Sequence, residues 1–420
     1  MALVLALHLF STSGTWWTTD HGEILAVAHN VVSTGRFDVQ DLGPGWEEWT
    51  RIASARHDTR TRFLPVSVLS LVPFLLLDHA FGRRALDDLR FVHLQGHIFV
   101  GVALWLAGRF VMRATRSSSA AALCVLLAGF NWPVWMIARR IGPEPVLLAL
   151  LVIFITQGTF SRAIVLIVLP WTHATGPLLA LGAMLWLISD LQTLRGAAAT
   201  RLLPAFLLGP LTVALFWNLP VHGHLFLGGY DRFASGRDFG LRNPLVGLAS
   251  LLAPLALWVL PLWWLVLRSP LRSSVSIVGL WAPLSLFLGL LSHPELLPSP
   301  EPERRTAPLI VASIAACLVR TGSFSRASAL GLFFLALISG VVGLSSDFVA
   351  VTNTPLGLFS GPHLFFLRLA FEEGRPWPAA GASAILLATA AFAASRTFKE
   401  GPGPAGAVGS NGVSPPESSA

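Results

Sequence analysis

Long apolar runs, interrupted by short clusters of charge, proline and glycine, set the pattern of this chain. They predict membrane-spanning helices near residues 2–18, 63–81, 91–112, 119–138, 145–158, 163–189, 202–220, 244–267, 274–291, 307–319, 328–351 and 380–395. A span needs about 20 mostly apolar residues, so the short runs 145–158 and 307–319 read as tilted, re-entrant or half-length helices. Pro133, Pro170 and Pro254 lie inside runs and predict kinks, which a bundle tolerates where neighbouring helices satisfy the freed backbone groups. If the spans alternate strictly, the longer connections 21–62, 221–243, 292–306 and 352–379 share one face and short turns share the other. The expected fold class is an all-α polytopic membrane protein of about 10–12 transmembrane helices over residues 1–398. Residues 399–420 hold too little apolar surface to fold and read as a disordered tail.

Composition narrows the class. Of 420 residues, 54% are hydrophobic and 12% are charged, where a soluble domain has about 25% charged. A soluble globular enzyme, a coiled coil and a disordered protein are excluded. Cys124 and Cys317 both lie in apolar runs, which leaves neither a disulfide framework nor a thiolate metal site. The net charge of +7 is almost wholly arginine, Lys399 being the one lysine. Short turns weigh most in the positive-inside rule. Those carrying Arg83/Arg84/Arg90, Arg139/Arg140, Arg195/Arg201, Arg268/Arg272 and Arg320/Arg326 are therefore expected in the cytoplasm of a bacterial plasma membrane. No basic leader or small-residue cleavage site precedes Trp16-Trp17, so no cleaved signal peptide is expected. The long-loop face then points outward with more arginine than topology needs, as an anionic ligand would require.

The first outward loop concentrates the candidate chemistry. Asp20 follows the first run in Thr18-Thr19-Asp20-His21-Gly22-Glu23. A carboxylate at the water–lipid boundary has an unusual environment, although Asp20 as N-cap with Glu23 at N3 also approximates a capping box. Ile24, Val27, Ala28 and Val31 form one stripe at helical spacing, ending at Gly35, which predicts a helix lying in the interface plane. Trp46 and Trp49 read as an aromatic belt. Arg51, Arg56, Arg60 and Arg62 follow, the last two directly before Phe63-Leu64-Pro65. Arginine there either snorkels or clamps a phosphate.

These residues resemble the GT-C superfamily of membrane glycosyltransferases, which includes protein O-mannosyltransferases and lipid A aminoarabinose transferases. The resemblance lies in the acid after the first span, the interfacial helix ending in glycine, and the basic residue before a proline-containing run. Gly129-Phe130-Asn131-Trp132-Pro133 through Arg139-Arg140-Ile141-Gly142-Pro143-Glu144-Pro145 is similar to a run in bacterial members. So is Phe216-Trp217-Asn218 followed by Gly223 and Leu227-Gly228-Gly229-Tyr230. The matches span roughly residues 1–240 in order. Two departures stand out: Asp20-x-x-Glu23 replaces an adjacent acidic pair, and Arg62 replaces a lysine or aromatic residue. The resemblance implies a GT-C-like bundle that moves a sugar from a polyprenyl-phosphate carrier to a glycan, lipid or protein acceptor, with inversion. Asp20 would be the base, Glu23 a contact to a sugar hydroxyl or a divalent cation, and Arg60 and Arg62 the contacts to the lipid phosphate.

Further candidates are Glu144, Arg139, His173 and Tyr230. The alternating count puts Glu144 on the face opposite Asp20, where it reads first as a helix-end carboxylate paired with Arg139 or Arg140. His173 sits mid-run and must find a partner inside the bundle. His93 and His97, four residues apart, suit a metal less well than a bundle interior, since no third ligand accompanies them. The loops bearing His222, His224, Asp231, Arg232, His363, Arg368, Glu372 and Glu373 could close over substrates, but their spacing assigns no role. No phosphate-loop motif is present, and dispersed basic residues exclude a nucleic-acid role. The competing functions are a secondary transporter or lipid flippase with a midplane site, and a noncatalytic GT-C-like assembly partner.

Overall fold

A computed structural model describes residues 1–10, 19–40, 42–47, 61, 63–85, 89–190, 196–223, 225, 260–269, 271–291, 301–321 and 328–337. Among the described residues the regular structure is helical. The helices are α1 (Ala2–Phe10), α2 (Thr19–Thr34), α3 (Pro65–Leu69), α4 (Val72–Ala80), α5 (Leu94–Thr115), α6 (Ser118–Gly129), α7 (Trp132–Ala138) and α8 (Pro143–Thr156). They continue as α9 (Thr159–Thr172), α10 (Gly176–Asp190), α11 (Gly196–Val213), α12 (Leu219–His222), α13 (Leu260–Arg268), α14 (Leu271–Leu291), α15 (Glu301–Thr321) and α16 (Ser328–Leu337). A 3₁₀ turn, Phe91–His93, leads into α5, and a π turn, Ala214–Asn218, joins α11 to α12.

Phe91–Thr115 and Thr200–His222 are each long and apolar enough to cross a membrane. The pair α6 and α7, bent by 72°, makes a third such unit if it is one broken span. Pro133 in the first turn of α7 leaves its preceding residues without a helical continuation, which accounts for the break at Phe130-Asn131. The apolar helices α8, α9 and α10 are shorter, and short helices span a bilayer only where their non-helical ends are buried in protein. Leu203, Leu207, Leu211 and Leu215 recur every fourth residue on the outside of α11 and its π turn, all exposed. Such an apolar stripe faces lipid in a membrane bundle.

Among the described residues there are three apolar clusters, two of them extensive. The large one runs through α1, α5 to α11 and α13 to α16. Inside a bilayer, helices associate by close backbone packing, and glycine supplies it here. A Cβ on Gly96 of α5 would collide with the carbonyl oxygens of Ile137, Ala138 and Arg140, and one on Gly182 of α10 with Leu280 of α14. The second cluster is a layer of its own: Ile24 to Ala28 of α2, Val39, Leu42 and Trp46, Phe63 to Leu75 around α3 and α4, Leu89, Val92 and Ile141.

This layer corrects the expected topology twice. The run 63–81 does not cross between faces. It folds as α3 and α4, broken at Ser70-Leu71, against α2. Leu64 at its start packs with Val213 and Trp217, while Asp78 near its end reaches the beginning of α5. Arg83 and Arg84 therefore lie on the α2 face, where the Arg84 carbonyl accepts from the Trp46 indole at 2.8 Å. The run 163–189 is also not one helix: α9 stops at Thr172 and α10 starts at Gly176. Chain direction follows from neighbours. The helix α5 starts beside the α2 layer and ends away from it, α6 and α7 return, α8 descends, α9 returns, α10 descends and α11 returns. The lost crossing and the added one cancel, so α11 ends beside the α2 layer, where Val213 and Trp217 pack with Leu64. Ser269 and Thr321, 3.3 Å apart, put the α13–α14 turn and the end of α15 on one face together.

Candidate functional site

The α2 face carries those candidate residues that the structure describes. Helix α2 begins at Thr19, so Asp20 lies in its first turn, where a carboxylate favours the helix dipole, and Glu23 opens the second. That start is two residues earlier than the capping-box reading required. The side chain of Asp20 lies outside the described residues; Glu23 is half-buried. The expected single apolar stripe is corrected too. Every residue from Ile24 to Asn30 is buried, so α2 is enclosed between the α3–α4 pair and the loop that follows it.

That loop is tied back by polar contacts. Asn30 Nδ2 donates to the Asp38 carbonyl at 3.0 Å and to Asp38 Oδ1 at 2.7 Å. His29 donates from Nε2 to the Leu42 carbonyl at 3.0 Å and stacks on Trp46 at 4.5 Å, with His79 edge-on at 5.4 Å. Burial holds the His29 imidazole below its ordinary range, more than the Leu42 bond raises it, and the neighbouring His79 adds to the lowering. Trp46 is 1% exposed and is a core residue of the layer, where the sequence suggested a membrane belt. Trp49 lies outside the described residues.

Pro65 occupies the first turn of α3, as its fixed φ and missing N–H favour. Thr61, fully buried, accepts the Phe63 N–H on Oγ1 at 3.0 Å. Arg60 and Arg62, on either side of it, lie outside the described residues, as does Tyr230.

The α7–α8 junction supplies the second acidic centre. Arg139, Arg140 and Glu144 are 2%, 6% and 5% exposed. Buried charges persist in an apolar bundle only where neighbours neutralise and bond them. The junction is held by Gln95, whose amide spans both backbone groups of Gly142: its Oε1 accepts the Gly142 N–H at 2.9 Å and its Nε2 donates to the Gly142 carbonyl at 3.1 Å. The same Nε2 donates to Ser70 Oγ at 2.6 Å, linking the junction to the α3–α4 break. Gly142 has φ +140°, open only to glycine in practice, and a Cβ there would stand 3.0 Å from Glu144 Oε2. Ile141 belongs to the α2 cluster with Ile24. Glu144 is thus on the same face as Asp20 and Glu23, where the alternating count separated them. The reason is the run 63–81, which was counted as a crossing and is not one.

His173 is not mid-helix. It occupies the α9–α10 turn, with Nδ1 2.8 Å from Thr175 Oγ1 and accepting the Thr175 N–H at 3.2 Å, which leaves the ring proton on Nε2. Trp171 beside it donates to Thr212 Oγ1 at 2.9 Å. Trp171, Leu64, Phe37, Val213, Trp217 and Val221 form a small apolar cluster that brings α9, α11 and the loop after α2 together. The π turn presents two buried polar atoms without hydrogen bonds, Trp217 Nε1 and Asn218 Oδ1; π turns recur at functional sites.

Two residues important here had no prior role. Gln95 carried no spacing signal. Asp78, fully buried, accepts the N–H groups of Arg90, Phe91 and Val92 and so caps the entrance to α5; an acid twelve to fourteen residues away along the chain gives no local signature. Among the described residues, no three His, Cys, Asp or Glu side chains converge as metal ligands. His97 Nδ1 bonds the His93 carbonyl at 2.9 Å within the bundle.

No family model matches the sequence, and the search of curated proteins found no match. Among solved structures, the fold is similar to ArnT from Cupriavidus metallidurans, crystallised bound to undecaprenyl phosphate. The TM-score is 0.50 at 15% sequence identity, over 95% of this chain and 74% of that one. Together with the helical layer and bundle described above, this likeness identifies the architecture as a GT-C-like membrane fold.

Proposed function

We propose that this protein is an integral-membrane glycosyltransferase that takes a sugar from a polyprenyl-phosphate carrier on the α2 face. The observation that carries the reading is the presence of two acidic helix starts on one face of a GT-C-like bundle: Asp20 and Glu23 on α2, and Glu144 at the start of α8, after the buried Arg139 and Arg140 of the α7–α8 junction. A carrier bound by the ArnT neighbour is undecaprenyl phosphate, which supports a lipid-linked donor here.

In this reading Asp20 accepts the acceptor hydroxyl proton as that oxygen attacks the anomeric carbon. The bond from that carbon to the phosphate oxygen breaks, and polyprenyl phosphate leaves with the electron pair. Arg60 and Arg62 offset the charge on the leaving phosphate, and Glu23 holds a sugar hydroxyl or a divalent cation. Glu144, Arg139 and His173 are further candidates near this face, and Tyr230, outside the described residues, is a candidate from the sequence alone.

Asp20→Asn, assayed with labelled polyprenyl-phosphate sugar in vesicles, should lower transfer about 10²–10⁴-fold. Undiminished transfer removes Asp20 as base. The broken α6–α7 helix is a feature that the transporter reading shares, and sugar uptake without transfer by the wild type would favour it.

A further inference from the structure

On the face opposite α2, the start of α1, the end of α5 and the start of α6 enclose a groove of about 530 Å³. That is the size of a small-ligand site, roughly 300–1,000 Å³. Its walls are apolar, formed by Val4, Trp105, Met112, Val125 and Leu126. It opens along the outer stripe of α5, where Ile98, Val102 and Trp105 are exposed. Its polar rim is Arg109, whose guanidinium lies 5.2 Å above the Trp105 ring. Arg113 follows one turn later and Arg116 ends the helix, all three exposed.

Charge complementarity decides the occupant. Residues 1–19 and 89–143 contain no Asp or Glu, so none of the three helices walling the groove can supply a carboxylate to these arginines. A free anion would make no use of the apolar wall, and a neutral lipid none of the guanidinium groups. Cationic side chains at a helix C-terminus also balance its dipole and help orient the chain, but those roles need neither a groove nor a stacked arginine. We propose that the groove holds one anionic glycerophospholipid, its phosphate on Arg109 and Arg113 and one acyl chain between Trp105 and Val125.

The test is native mass spectrometry of the full-length protein in detergent, titrated with dioleoyl phosphatidylglycerol or dioleoyl phosphatidylcholine. The wild type should retain phosphatidylglycerol better, by roughly 25-fold at full strength of both arginines. Arg109→Gln/Arg113→Gln should abolish that preference, at roughly fivefold per arginine, without touching the packed core. Ala122→Trp, which fills the groove, should lower retention of both lipids. Inorganic phosphate should not displace the bound lipid. Equal retention of the two lipids by the wild type, a preference that survives the double substitution, undiminished retention in Ala122→Trp, or displacement by inorganic phosphate would each overturn the proposal.

Discussion

Gln95 and Gly142 make a two-residue device that sets where Glu144 stands. The glutamine amide satisfies both backbone groups of a glycine held at φ +140°. Gln95→Leu leaves those buried groups without that partner, at about 1–3 kcal/mol. Gly142→Ala imposes a backbone conformation that alanine avoids, at a similar cost of roughly 1–3 kcal/mol. Both should lower the thermal midpoint in detergent, and Gly142→Ala should also depress transfer, because the added Cβ meets the Glu144 carboxylate. His29 adds a pH dependence at this scale. Its folded-state pKa lies below the ordinary value of 6.5, so the unfolded chain binds the proton more readily. Its contribution to stability is complete above about pH 6.5 and is lost as pH falls through the folded value. Limited proteolysis of the loop after α2 should therefore quicken in mild acid, and His29→Phe should remove that part of the pH response.

At the level of elements, Asp78 joins the end of α4 to the beginning of α5. Three backbone donors converge on its carboxylate in a fully buried setting. Asp78→Ala should cost roughly 2 kcal/mol, at the upper end for a lost helix cap, read as a drop in thermal midpoint with the helical signal retained. The same elements show what the sequence could and could not disclose. The α2 helix, its glycine stop and the break at Pro133 were legible, because local periodicity and proline encode them. The run 63–81 misled, because a stretch buried in a protein layer is as apolar as one buried in lipid. Its break at Ser70-Leu71 is marked by Pro73, in the first turn of α4, which cannot continue a helix from α3, a local signal that the apolar run masked. His173 misled for the related reason that a turn of only three residues between two apolar helices barely lowers the hydropathy averaged across the gap. The grouping of Glu144 with α2 was hidden behind the first of these, the run 63–81, whereas its place at a helix start could be read from Gly142-Pro143.

For the molecule as a whole, the reassigned crossing makes a direct prediction about sidedness. Both native cysteines are buried, so single introduced cysteines report cleanly. Ser33→Cys and Arg83→Cys should react with a membrane-impermeant maleimide from the same side of sealed vesicles, and Ser118→Cys only from the other. Labelling of Arg83→Cys with Ser118→Cys would restore 63–81 as a crossing and separate Glu144 from α2. The arginine arithmetic changes accordingly, since Arg83, Arg84, Arg139 and Arg140 join the α2 face.

The apolar layer over that face shares no buried residue with the cluster inside the bundle. A protein assembled in this way has a roof and a frame that can be revised on separate schedules. Substitutions among the residues that enclose α2 can reshape what is admitted beneath it, while the anchoring in the bilayer stays as it was.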